Sequence, residues 1–266
     1  MKIITLTTDF GSENWFVGTM KGVIAKIAPQ ARVIDLNHGV SHFDVAEAAF
    51  SLVSSYNYFP HDTIHVVVVD PGVGTARRPV IACGDRFCFI APDNGVLSFV
   101  AGREKHMRWF HADRPEYFLP HLSDTFHGRD IFAPLAAHLA RGTDPVKMGS
   151  LITDPAMLEG AEFEETRSAS GAIKGRIMYI DCFGNLITNI SSSAVDNRIE
   201  VEVSPLRPTV SGILPSYDSV PVGEAVVVCG SSGFLEVAVN QGNAQKEFNC
   251  KKGDEIFVYV TASKKG

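Results

Sequence analysis

No apolar run in the 266-residue chain is long enough to cross a bilayer. The N-terminus, Met1-Lys2-Ile3-Ile4-Thr5-Leu6, carries neither a long apolar signal region nor a small-residue cleavage site. Positive charge is short: 24 Lys and Arg against 30 Asp and Glu leave a net charge of −6. That removes the electrostatic reason to expect nucleic acid or an anionic membrane as partner. Cysteine is sparse. The five (Cys83, Cys88, Cys182, Cys229, Cys250) are scattered and contain no Cys-x-x-Cys pair. The expectation is reduced thiols in a cytoplasmic protein rather than a disulfide framework or a zinc site. Internal repeats and low-complexity segments are absent.

Several catalytic motifs are missing too. Gly72-Val73-Gly74-Thr75 lacks the third glycine of a dinucleotide fingerprint, and no Gly-Lys-Ser/Thr follows it. Without Gly-x-Ser-x-Gly there is no hydrolase nucleophile elbow. His38 and His42 are four apart, as are His61 and His65, but neither pair reads as lying on a helix or within His-Glu-x-x-His. No metal site is expected.

What is present is a regular alternation. Residues 3–7 read as a strand, 14–28 as a helix with Phe16, Met20, Val23, Ile24 and Ile27 on one stripe, and 32–36 as a second strand. Asp44 can cap a helix over 44–56. Val66, Val67, Val68 and Val69 form a strand buried on both faces. This β-α-β-α-β order predicts an α/β domain with a mostly parallel sheet over residues 1–160. Residues 80–83 and 87–91 predict a hairpin turning at Gly84-Asp85. A further helix is expected over 130–141. Residues 159–171 are acidic and Ser-rich and read as a linker. After them, 172–266 predict a small all-β, barrel-like domain, with strands at 174–180, 198–203, 225–228, 234–239 and 255–260.

The polar residues at the strand ends are the site candidates. Right-handed crossovers bring Asp9 and Asp70, each just past a strand, to one sheet edge, where open α/β sheets bind ligands. Arg77 follows Asp70 by seven residues. His127 precedes a helix whose positive end favours a neutral imidazole able to accept a proton. Against this stands the plainer reading of Asp70 as a turn cap with Arg77 and Arg78 in solvent. From the residues alone the chain is a small-molecule enzyme of two domains.

The motifs Thr7-Thr8-Asp9-Phe10-Gly11, Val69-Asp70-Pro71-Gly72-Val73-Gly74, Phe126-His127-Gly128-Arg129-Asp130, Asp181-x-Phe183-Gly184-Asn185 with Thr188-Asn189, and Gly230-Ser231-Ser232-Gly233 with Asn240 add a resemblance. In that order they resemble the S-adenosyl-L-methionine hydrolases (hydroxide adenosyltransferases), relatives of the fluorinase and chlorinase. The resemblance implies a homotrimer with each active site between the N-terminal domain of one subunit and the C-terminal domain of the next. It implies hydrolysis of S-adenosyl-L-methionine to adenosine and L-methionine, with no cofactor or metal. The implied catalytic triad is Asp70, Arg77 and His127, spacing from Asp70 favouring Arg77 over Arg78. Asp9 falls where the ribose hydroxyls are gripped, and Phe43 and Phe126 are aromatic substrate contacts. Asp181 and Ser231 fall at the methionine end, Asn185 near the adenine, and Tyr217 is an adenine-stacking candidate. Asn14 departs from the acidic residue common at that position near the substrate's amino group, which leaves Glu13 as a substitute or a weaker hold.

The implied chemistry is attack by water at the ribose C5′, with a neutral thioether leaving. Asp70 and His127 are expected to hold the water and accept its proton, directly or through a relay, with Arg77 keeping Asp70 charged and oriented. A carboxylate at position 70 repels a halide, which weighs against a halogenase. A non-catalytic adenosine or S-adenosylmethionine sensor is the other alternative.

Overall fold

The computed structural model describes residues 1–159, 165–167, 171–195, 200–204 and 210–261. The chain divides into two compact units, Met1–Leu158 and Glu159–Gly266. The proposed linker over 159–171 falls partly outside the described residues, at 160–164 and 168–170.

The first unit runs β1 (Ile3–Thr8), α1 (Phe16–Ile27), β2 (Arg32–Asn37), α2 (Val45–Ser55), β3 (Ile64–Val68), β4 (Pro79–Cys83), β5 (Cys88–Pro92), α3 (Ser98–Ala101), β6 (Arg108–His111), α4 (Ala133–Ala140), α5 (Pro145–Met148) and β7 (Ser150–Ile152). Its seven strands order as β2-β1-β3-β5-β4-β6-β7. β2, β1, β3 and β5 are parallel; the β5–β4, β4–β6 and β6–β7 pairs are antiparallel. The sheet is therefore mixed, not mostly parallel as expected. The cause is the tight β4–β5 hairpin. It puts β5 rather than β4 beside β3, and β4 then runs against its neighbours.

The valine run occupies the centre. Val66 to Val69 are each at most 3% exposed, and full burial of each contributes about 1.5–3 kcal/mol relative to exposure. Val66 and Val68 join Ile4 and Leu6 of β1 against α1 (Met20, Ile24) and α4 (Leu135, Ala136). On the other face His65 meets Tyr56, at the end of α2. α2 begins where Asp44 accepts the Glu47 N–H at 2.9 Å, the cap the sequence predicts.

One expectation fails outright. Cys83 and Cys88 are not free thiols but form a disulfide. They sit directly opposite each other in the hairpin, the Gly84 N–H donating to the Phe87 carbonyl just beyond them. Two cysteines five apart around Gly-Asp were a legible hairpin pair. The absence of Cys-x-x-Cys removed only one way of using them. Cys182, Cys229 and Cys250 are not disulfide-bonded.

The second unit holds β8 (Thr166–Arg167), β9 (Ile173–Ile180), β10 (Leu186–Ser191), β11 (Glu200–Ser204), β12 (Val210–Ser211), β13 (Ile213–Leu214), β14 (Ala225–Cys229), β15 (Phe234–Val239), the five-residue α6 (Ala244–Phe248) and β16 (Glu255–Thr261). Its sheet orders as β12-β11-β16-β9-β10-β15-β14-β13, with β8 on β9, and is antiparallel except at β13–β14. Ile173, Ile177, Leu186, Val237 and Ile256 are in its core. Arg198, included in one expected strand, lies outside the described residues. Among the described residues no helix is long and apolar enough to cross a membrane.

Candidate active site

The chain leaves β3 through Val69, whose carbonyl accepts from the Asn94 side chain at 2.9 Å, and enters a tight loop. The Val73 N–H returns to the Asp70 carbonyl at 3.2 Å, and the Thr75 N–H to the Gly72 carbonyl at 3.1 Å. Gly72 leaves room for Arg77 to fold back, since a Cβ there would lie 3.2 Å from Arg77 Cγ. Gly74, at φ +76°, packs so closely that any Cβ would overlap the Asp124 carbonyl oxygen. These glycines bring two loops together: the one carrying Asp70 and the one leading to His127.

Arg77 grips Asp70 through Nε at 2.9 Å and 3.0 Å and through Nη2, and that same Nη2 donates to His127 Nδ1 at 2.7 Å. The guanidinium lies over the Phe132 ring, 5.2 Å from its centroid. Both members of the Arg77–Asp70 pair are buried. Arg78 points elsewhere, to Asp93 and Asp154. Of the two arginines, Arg77 is therefore the one that meets Asp70.

His127 lies at the entrance of a π-helical turn, Gly128–Phe132, that runs into α4. Such turns recur at functional sites. Burial, and then the Arg77 charge, lower its pKa below the ordinary histidine value, so the imidazole is neutral at neutral pH. Arginine can only donate. Nδ1 is therefore the acceptor, and the ring proton sits on Nε2. The neutral state agrees with expectation, although burial and Arg77 lead among its causes rather than a helix end. Nδ1 is thus engaged by Arg77, and the Nε2–H is the group that His127 has left to present.

Asp9 is 6% exposed. Its Oδ2 accepts the Phe43 N–H at 2.9 Å, and its carbonyl accepts from His42 Nδ1 at 2.9 Å. Phe43 holds an unusual left-handed conformation, φ +64°, with its ring exposed. Behind Asp9, Thr8 Oγ1 and His38 Nδ1 are 2.9 Å apart, and His38 Nε2 reaches Asp35 at 2.9 Å. Asn14 is committed locally: its amide donates to the Phe10 carbonyl and its oxygen accepts the Phe16 N–H at 3.0 Å. Phe126 packs with Phe10 and Phe16 at ring separations of 5.9 and 5.0 Å. Asp9, Asn14, His42, Phe43, Asp70, Phe126 and His127 all line one cavity of about 280 Å³.

In the second unit Asp181 caps its own turn. Its carboxylate accepts the Phe183 and Asn185 N–H groups and the Asn185 amide, each at 2.9 Å. Tyr217 Oη donates to Glu236 Oε1 at 2.6 Å. Burial raises the Glu236 pKa, and Asp181 adds to that through its charge. Ser231 is exposed at the turn between β14 and β15. Sequence reasoning did not single out Glu236, and weighed His42 only as half of a metal pair that it set aside. Glu236 had a signal: one carboxylate in the otherwise apolar run Phe234-Leu235-Glu236-Val237-Ala238-Val239. Among the described residues no three His, Cys, Asp or Glu side chains converge as a metal ligand set.

Comparison with known proteins follows the same division of the chain. Residues 4–149 match the model of the SAM hydroxide adenosyltransferase N-terminal domain, and 175–257 that of the C-terminal domain. A protein of Thermus thermophilus named (R)-S-adenosyl-L-methionine hydrolase is 37% identical, over 95% of this chain and 98% of its own. A fluorinase of an Actinoplanes species is more distant, 26% identical over 96% of this chain and 97% of its own. The crystal structure of an uncharacterised conserved protein from Thermotoga maritima superposes with a TM-score of 0.88 at 36% identity, covering 96% of this chain and 99% of that one. The chain belongs to the SAM hydroxide adenosyltransferase family.

Proposed function

We propose that the protein hydrolyses S-adenosyl-L-methionine to adenosine and L-methionine. The observation that carries this is the half-buried Asp70–Arg77–His127 chain, two members of which line a cavity that Asp9 also enters. Asp9 grips the ribose, and Asp70 and His127 face the ribose C5′. His127 Nε2–H donates to the oxygen of the attacking water, and Asp70 accepts its proton. The water oxygen bonds to C5′ as the C5′–S bond breaks. The electron pair goes to sulfur, so methionine leaves as a neutral thioether and needs no acid. Positioning and activation of water are then the whole catalytic task.

The remaining roles belong to the same reading. Phe43 and Phe126 are apolar substrate contacts. Asp181 and Ser231 take the methionine end, Asn185 the adenine, and Tyr217 a stacking position. The second unit is a barrel-like substrate-binding domain completing the site of a neighbouring subunit in a homotrimer. No metal or cofactor takes part in this reading. Asp70 disfavours the fluorinase reaction, since a carboxylate repels a halide held at the same place.

The test is turnover in oxygen-18 water. Label in the adenosine 5′-hydroxyl is the expected result, with Asp70→Asn slower by about 10²–10⁴-fold, the usual size of a general-base contribution. Label absent from adenosine, or Asp70→Asn at wild-type rate, overturns the assignment.

A further inference from the structure

The loop that carries Asp70 and Arg77 has little beneath its crest. Pro71, Gly74, Thr75 and Ala76 are exposed. Apart from the close approach of Gly74 to Asp124, what fixes Arg77 has to act at the two ends of the loop. Both ends meet one turn, Pro92-Asp93-Asn94-Gly95, which closes β5. At the start, the Asn94 amide donates to the carbonyl of Val69, the residue before Asp70, at 2.9 Å. At the finish, the Asp93 N–H donates to the carbonyl of Arg78, the residue after Arg77, at 2.9 Å. Asp93 Oδ2 also accepts from Arg78 Nε at 2.8 Å.

The turn is itself anchored. Asn94 Oδ1 accepts the Val96 N–H at 3.2 Å, which orients the amide toward Val69. The Asp93 side chain is 5% exposed. Its Oδ1 accepts the Ala156 N–H at 2.7 Å, and Arg78 reaches on to Asp154 at 3.0 Å. Bonds to a buried carboxylate are charge-assisted and stiffer than neutral ones. Neither Asp93 nor Asn94 lines the cavity, so any effect they have on chemistry passes through residues that the loop carries.

We propose that Asp93 and Asn94 are positioning residues that clamp the loop at Val69 and Arg78, so that Arg77 faces Asp70 and His127 at once. The consequence for catalysis rests on the hydrolase reading. Arg77 Nη2 serves both partners, with His127 Nδ1 at 2.7 Å, so a small shift of either loop end opens one bond or the other. A misplacement of about 1 Å in such a site can cost about 10²-fold in rate.

Asn94→Asp is the sharpest probe. It keeps the acceptor for the Val96 N–H and removes the donor to Val69 at nearly unchanged volume. Asp93→Asn weakens the other end, and Arg78→Lys, at a partly exposed side chain, tests that end if Asp93→Asn does not fold. Titration of His127 by NMR reads the place of Arg77 without any substrate. The Arg77 charge stands second to burial among the causes that lower the His127 pKa, while Asp70, Asp130 and Asp124 act the other way. Retreat of Arg77 therefore raises it. Each clamp variant is expected to titrate His127 at higher pH than wild type and to lose about tenfold or more in kcat, with KM for S-adenosyl-L-methionine within about twofold. Gly142→Ala, at the turn after α4, should move neither. In an Arg77→Ala background, Asn94→Asp should shift His127 no further. An unchanged His127 titration in the folded variants, or an equal shift without Arg77, overturns the proposal. If the wild type cleaves nothing but His127 responds as expected, the hydrolase reading fails and the clamp stands. If it cleaves and His127 does not respond, the clamp falls and the reading stands.

Discussion

His65 is a titratable group in an aromatic cage. It lies on β3 with Nδ1 2.8 Å from Thr5 Oγ1, among the rings of Tyr56, Phe59, Phe87 and Phe89, and its Nε2 has no partner. Burial pushes its pKa down from 6.5 to about 3. Above pH 6.5 neither the folded nor the unfolded chain is protonated there, and the group adds no pH dependence. Between pH 6.5 and about 3 the unfolded chain binds a proton that the folded chain refuses, so stability falls as pH falls. Denaturant unfolding of His65→Leu between pH 6 and 4 should therefore show a flatter slope than wild type, by up to about 1.4 kcal/mol per pH unit. The lost Thr5 partner adds only a pH-independent offset. At this scale the sequence was half legible. It marked Asp9, Asp70, Arg77 and His127 by their positions at strand and helix ends. It did not reveal which nitrogen of His127 is free, because that depends on Arg77 arriving from fifty residues away.

At the scale of elements, the loop after β3 works by what its glycines leave out. Gly74 permits the Asp70 loop to touch the backbone of Asp124, three residues before His127. Gly74→Ala introduces an overlap as well as strain at φ +76°, worth about 1–2 kcal/mol for the left-handed conformation alone. The overlap pushes the Asp70 and His127 loops apart, so on the proposed function kcat should fall more than tenfold at a temperature where the variant is fully folded, a loss of about 1.4 kcal/mol in transition-state stabilisation. Gly142→Ala is the control. It has a comparable φ of +91° but open space around it, and should lose stability without losing kcat. The glycine loop was read from sequence as a ligand-admitting backbone, and its role in close packing was hidden. What a Cβ would strike belongs to another loop.

For the whole molecule, sheet-rich packing was legible in the second unit because alternating apolar residues recur there between turns. The mixed character of the first sheet was not. Local periodicity predicts that β5 is a strand but does not tell which edge it will join. The proposed assembly has a direct check: sedimentation equilibrium or light scattering should give three times the 28.9 kDa chain mass. A monomer of undiminished activity would remove the subunit-spanning site from the proposed function.

The sequence by itself determined many of the elements, though not β6, β7 or β10, and with them the two-part organisation and the strand ends that carry the carboxylates. These follow from patterns within a few residues, where side-chain direction repeats with the backbone. Tertiary structure decided which arginine meets Asp70, which proton His127 keeps, that Cys83 and Cys88 are joined, and that His42 stands beside Asp9. Each of these is a matter of ångströms between atoms. A hydrogen bond or an overlap is gained or lost over distances that no periodicity encodes.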